Sequence, residues 1–235
     1  MTASRPVSRG MCRACGYVGT KASMTKHQAA CVVRQPHGEP GREVYRLRVS
    51  GTHSPEYWLD VELPLDATLD DLDSFLRGIW LECCGHLSEF TVGPPQDWEN
   101  FDPVARMIGD TAGPPLSELG LEVGQKFGYT YDFGSSTDLT VQVQARERTY
   151  DWGQSVKLLA RNLSPVLTCS KCGAPAKWTH SWDYDEETGS PLLYCGRHGK
   201  STSDEQLPVV NSPRMGVCAY EGGNLEGWPP AQKQP

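Results

Sequence analysis

No apolar run in this chain approaches the roughly 20 residues that cross a bilayer. The N-terminal MTASRPVSRG also lacks the apolar stretch of a signal peptide. Acidic residues are absent from the first 38 positions, where Arg5, Arg9, Arg13, Lys21, Lys26 and Arg34 stand unopposed. The chain as a whole has 22 basic and 29 acidic side chains, so everything after residue 38 is net −13. That acidity argues against a broad nucleic-acid surface on the body, and any polyanion contact is expected through the basic N-terminus. No internal repeat and no low-complexity tract is present. Cysteine, by contrast, is plentiful: there are nine. An odd count with no export signal points to reduced thiols and metal ligation rather than a disulfide framework. The expected compartment is the cytoplasm.

Eight of the chain's cysteines and histidines fall into two sets with zinc-ligand spacing. The first is Cys12-x2-Cys15-x11-His27-x3-Cys31, and the second is Cys169-x2-Cys172-x22-Cys195-x2-His198. A Cys-x-x-Cys turn places two sulfurs on one ion, and zinc takes four thiolate and imidazole ligands tetrahedrally. Each set is complete without a position for water, so two structural zinc ions are expected rather than a catalytic one. His27 and Cys31 are four apart, which puts them on one face of a short helix over 21–32. The first set departs from the DNA-reading finger, which has a longer gap and a final histidine. In the second set Cys218 and His180 are alternatives to His198. His198 is preferred because Cys195-x2-His198 mirrors the leading knuckle.

The periodicity divides the chain into four parts. Residues 1–38 read as a Cys-Cys-His-Cys finger with a basic arm, followed by a Pro/Gly linker at 35–41. Residues 43–162 read as an α+β domain. In it, EVYRLRVS and YWLDVEL alternate with period two and form a hairpin. Thr68 caps a helix whose Leu69, Leu72, Phe75, Leu76, Ile79 and Trp80 form an apolar stripe. A strand at 86–92, a long loop at 93–115, a helical turn at 116–121, a hairpin at 126–133 and 138–145, and a strand at 156–160 follow. The fold class is an antiparallel or mixed sheet packed on a helix, with a β-grasp-like start. Residues 163–218 read as a zinc-ribbon-like unit, two knuckles on a hairpin, and 219–235 as a flexible tail.

The motifs YRLRVSG, ATLDDLDSFLRGIW, HLSEFTVG, LSELGLEVGQKFGYTYDFG and LPVVNSPRMGVCAY, taken in this order, resemble the Ri-plasmid ORF-three-like family. Its members are also labelled as TnpR-like passenger proteins of insertion elements. The resemblance covers 43–150 and implies an α+β fold and a plasmid or mobile-element setting, without a known reaction. The chain departs from the family at Ser88, where a histidine is common. It departs again at Tyr57-Trp58-Leu59 and after Asp132-Phe133-Gly134, where Asp, Trp and His are common. No serine-recombinase arrangement of a nucleophile with clustered arginines is present.

Other residues carry weaker signals. Cys83-Cys84 follows the apolar stripe and reads as packing, since adjacent cysteines rarely close a disulfide. Cys218 reads as a buried thiol. His86 with Glu82 and Asp132 offers an acid–base set, with the 93–115 loop as its lid. Tyr129, Tyr131 and Phe133, with Trp178 and Trp182, offer either stacking for bases or packing for the sheet. The expected function is that of a non-enzymatic, zinc-binding adaptor. Its unidentified nucleic-acid or protein partner would be met at the N-terminal finger, with no membrane and no small-molecule substrate. The alternatives are an enzyme centred on His86 and Asp132, and a protein–protein adaptor.

Overall fold

The computed structural model describes residues 7–31, 41–92, 105–107, 113–150, 153–186, 191–199 and 206–223. All but Gly41 of the 35–41 linker, most of the 93–115 loop and the tail from 224 lie outside them, as do Arg5 and Arg34.

Strands β1 (Arg9–Cys12) and β2 (Val18–Thr20) precede helix α1 (Lys21–Ala30), which Thr20 caps by accepting from the Ser23 N–H. The hairpin β3 (Arg42–Gly51) and β4 (Trp58–Pro64) leads to α2 (Leu69–Leu76). At the start of α2, Thr68 and Asp71 form a reciprocal capping box. The helix then widens into a π-helical turn over Arg77–Leu81. There follow β5 (Ser88–Thr91), β6 (Ala105–Met107), β7 (Lys126–Tyr131), β8 (Thr137–Thr149) and β9 (Lys157–Asn162). The last strands are β10 (Trp178–Tyr184), β11 (Pro191–Tyr194) and β12 (Gln206–Pro208).

These strands make two sheets. The larger has nine strands in the order β2-β1-β9-β4-β3-β8-β7-β5-β6, and the smaller has three in the order β11-β10-β12. Every strand pairing within them is antiparallel. The protein is therefore mostly sheet, with few helices. Four strands escaped the sequence reading. β1 and β2 lie where only a turn was expected, β6 lies within the expected 93–115 loop, and β12 follows the Cys195–His198 turn. Each is three or four residues long, too short to carry a periodic signal.

The period-two pattern of β3 and β4 predicts strands buried on one face. Both faces are in fact covered, and all seven residues of β4 are buried. Tyr45, Leu47, Val49, Leu59, Val61 and Leu63 pack on Leu69, Leu72 and Leu76 of α2. Each such apolar side chain contributes roughly 1.5–3 kcal/mol by leaving water. On the other face Trp58 meets Cys12, Met24 and Cys31 of the N-terminal unit. Arg48 there pairs with Asp60 through two hydrogen bonds, at 2.7 and 2.9 Å. Charged side chains thus alternate in the sequence because they pair with one another, not because they face water.

The N-terminal unit docks on this body. β1 pairs with β9, matching Gly10 to Asn162 and Cys12 to Ala160. Lys21 reaches Ser50 at 3.4 Å, and Thr25 reaches Gln144 at 3.3 Å. Gly10 is needed here: a Cβ would stand 2.4 Å from the Trp58 ring and 2.6 Å from the Arg161 carbonyl.

Candidate metal centres

Three groups of cysteine and histidine converge in the fold, and each could hold a metal ion. Within each, the four ligand atoms lie within 4.8 Å of one another. All nine cysteines are free thiols.

The first group is Cys12, Cys15, His27 and Cys31. Cys12 ends β1, and the chain turns tightly as the Gly16 N–H bonds the Cys12 carbonyl at 2.9 Å. Gly16 takes φ +76°, which a side chain would resist. His27 sits in the last turn of α1, and Cys31 caps its end. The helix is thus shorter than 21–32, and Cys31 lies just beyond its last residue. His27 Nε2 stands 3.2 Å from Cys15 Sγ, and its ring stacks on Tyr17 at 4.2 Å between centroids. Gln28, fully buried, points Nε2 at Cys12 Sγ at 3.9 Å. Burial pushes the Cys12 thiol up to about 12 and holds His27 below its ordinary range. Both shifts belong to the metal-free state, and an ion would reverse the thiol's.

The second group is Cys169, Cys172, Cys195 and His198. It is built from two matching turns. Gly173 N–H bonds the Cys169 carbonyl at 2.8 Å, and Gly199 N–H bonds the Cys195 carbonyl at 2.9 Å. His198 presents Nδ1 to Cys169 at 3.4 Å and to Cys195 at 3.6 Å, and Cys172 lies 3.8 Å from Cys195. Burial opposes ionisation of Cys169. The Cys195 N–H, His198 and the Lys171 and Cys172 N–H groups outweigh it and bring the thiol down to about 6. Of the two alternatives to His198, His180 is buried edge-on to Tyr194 and Cys218 belongs elsewhere.

The third group, Cys83, Cys84, His86 and Cys218, has no Cys-x-x-Cys spacing to reveal it. Here the packing expectation needs correction. Cys83 does pack against the core, but Cys84 is exposed and Cys218 only half-buried. Cys84 Sγ lies 2.9 Å from His86 Nε2, 3.6 Å from Cys218 and 3.7 Å from Cys83.

The expected acid–base set comes together only in part. His86 Nε2 is 3.5 Å from Asp132 Oδ2. The same nitrogen faces Cys84 and Cys218, so the two ring nitrogens do not divide between thiol and carboxylate as a proton relay requires. Asp132 is held by Arg214 at 2.7 Å. Glu82 accepts from Arg77, Tyr131 and the Gly85 N–H. Burial would raise both carboxyls, yet Glu82 and Asp132 stay below the usual range because these donors favour the charged form. Tyr129 and Tyr131 are buried, their hydroxyls bonded to Asp73 and Glu82, whereas Phe133 is half exposed. The tyrosines are core rather than a stacking platform. Trp178 is half-buried, and the Trp182 side chain lies outside the described residues.

Sequence reading missed Arg214. Its guanidinium is fully buried and reaches Asp132, Thr137, the Ser135 carbonyl and Cys83. Its only sequence signal was membership of the NSPRMGVC run. Among the described residues, no helix is long and apolar enough to cross a membrane.

No protein-family model and no curated protein matches the chain. Among solved structures it is similar to a protein of unknown function, MM3350 from Methanosarcina mazei Go1, at 20% identity and a TM-score of 0.43. That alignment covers 51% of this chain and 69% of the other.

Proposed function

We propose that this protein is a zinc-stapled binding protein, without a reaction of its own, that grips a nucleic-acid backbone where its N-terminal finger meets the large sheet. Cys12, Cys15, His27 and Cys31 hold one zinc in a finger, and Cys169, Cys172, Cys195 and His198 hold another in a ribbon-like unit. Four protein ligands leave no coordination position for a reacting water. Apparent zinc binding of roughly 10–16 kcal/mol is enough to fold units this small.

The observation that carries the nucleic-acid reading is a cleft of ≈ 270 Å³ at this junction, lined by Lys21, Arg48, Lys126 and the hydroxyls of Ser50, Thr52 and Thr140. Arg48 is already paired with Asp60, so the cations the cleft offers to a phosphate are Lys21 and Lys126. Groups of this kind position a backbone without reading bases. The plasmid or mobile-element setting and the cytoplasmic location belong to this proposal. Their support is the order of family-like motifs and the free thiols.

The test is binding of a labelled oligonucleotide across a salt series, with the Arg9→Ala, Arg13→Ala, Lys21→Ala, Lys26→Ala variant alongside. The slope of log K against log salt falls by roughly 0.7–0.9 for each phosphate that the variant no longer neutralises. Equal affinity and slope in the two proteins would remove the nucleic-acid reading and leave a protein adaptor.

A further inference from the structure

We infer that Cys83, Cys84, His86 and Cys218 form a third site for a soft divalent ion such as zinc, and that this ion clamps the C-terminal segment onto the central domain.

The four ligand atoms lie within 4.8 Å of one another, close enough to share one tetrahedral ion. Zinc–sulfur bonds of about 2.3 Å and zinc–nitrogen bonds of about 2.0–2.1 Å set edges of about 3.8 Å between sulfurs and about 3.5 Å from sulfur to nitrogen. Cys83 to Cys84 is 3.7 Å, Cys84 to Cys218 is 3.6 Å, and Cys218 to His86 Nε2 is 3.6 Å. Of these four edges the Cys84–His86 one, at 2.9 Å, is short, and the remaining two lie within 4.8 Å. The two groups with recognisable spacing show the same edges, 3.2–3.8 Å.

The backbone bends to bring these side chains together. The π-helical turn at Arg77–Leu81 delivers the chain to Cys83. Gly85 then takes φ +78°, turning Cys84 and His86 toward one point. On the other side Cys218 itself has φ +53°. A non-glycine residue held there is strained, and such strain persists only where surroundings fix it. Ser181 fixes it in part, donating to the Cys218 carbonyl at 2.7 Å.

The surroundings also suit a thiolate-rich ion. Three thiolates and one imidazole around a divalent cation leave one net negative charge. Arg214 donates to Cys83 Sγ at 3.4 Å from within a fully buried position, a hydrogen bond that favours the thiolate while the same guanidinium pairs with Asp132. Three of the donors come from the end of the helical region and the fourth from 132 residues later, so a bound ion would cross-link the two. Arg214 and Ser212, which donates to the Trp80 carbonyl at 2.7 Å, already fasten the same segment. Unlike the other two groups, this one has no buried cysteine. It should therefore yield its ion to a chelator first.

The test is zinc per chain by elemental analysis in wild type, Cys84→Ser and Cys218→Ser, with Cys31→Ser and Cys195→Ser reporting on the other two sites. A count one lower in both Cys84→Ser and Cys218→Ser supports the site, whatever the quartets hold. Counts equal to wild type in both overturn it, even if the quartets are filled. Should either variant aggregate, alkylation of wild-type thiols with peptide mapping decides. Cys84 protected by zinc and released by chelation supports the site, and Cys84 labelled equally fast with and without zinc overturns it.

Discussion

Arg214 Nη2 donates to Asp132 Oδ2 at 2.7 Å, joining the C-terminal segment to the end of β7 across 82 residues. The guanidinium is fully buried and the carboxylate nearly so. Asp132 adds φ +65°, a conformation Asp and Asn tolerate better than other side chains. Arg214→Met should leave the buried carboxylate without its guanidinium, held by the Gly134 and Ser135 N–H groups and facing His86, at a cost of about 3 kcal/mol. Adding Asp132→Asn, which removes the charge and keeps the backbone preference, should restore much of that loss. Urea unfolding of the two single variants and the double variant measures the coupling.

Acid should unfold the protein through its paired carboxylates. Asp132, Glu82 and Asp71 all sit below their ordinary range, held by hydrogen bonds that outweigh burial. A lowered folded value means that the stabilisation is fully present above the unfolded value of about 4. It is lost as pH falls through the folded values beneath that. Chemical denaturation between pH 3 and 7, with release of any bound metal followed in parallel, separates this loss from protonation of the candidate metal ligands. The Arg214→Met variant should show a shallower acid limb.

Removing metal should be visible at Trp58. This indole packs with Cys12, Met24 and Cys31 and donates to Ser8 at 3.0 Å. Chelation, or Cys31→Ser, should change its fluorescence and lower the melting temperature, while far-UV signal from the large sheet persists. An unchanged Trp58 signal after exhaustive chelation would mean that the N-terminal unit holds its shape without metal.

Gly10→Ala should undock the first strand. The added methyl meets both the Trp58 ring and a backbone carbonyl, and a carbonyl cannot move aside as a flexible side chain can. Overpacking of this kind costs about 1–3 kcal/mol. Thermal melts should show that loss, and proteolysis should reach the N-terminal unit sooner than in wild type.

Thr68→Ala should cost about 1 kcal/mol by opening the capping box of α2. The hydroxyl accepts from the Asp71 N–H at 3.2 Å, and the Asp71 carboxylate accepts from the Thr68 N–H at 2.8 Å. Because α2 carries Leu69, Leu72 and Leu76 into the core, the loss should appear in global unfolding rather than local fraying.

Local patterns were sufficient for much of this molecule. The Thr68 cap, the apolar stripe of α2 and the alternation in β3, β4, β7 and β8 each depend on neighbours within a few residues. The grouping of each quartet was legible for the same reason, because a Cys-x-x-Cys turn is a local device. Tertiary structure alone decided the rest. The charges of β3 and β4 read as solvent-facing because a sequence shows alternation but not what lies opposite. Only docking of the N-terminal unit revealed that Arg48 and Asp60 are buried partners. Cys83, Cys84 and His86 are three close neighbours with no metal spacing, and their fourth companion, Cys218, lies 132 residues beyond His86. Chain folding brings that companion to them, guided by Arg214 and Ser212, and no periodicity records an approach of such range.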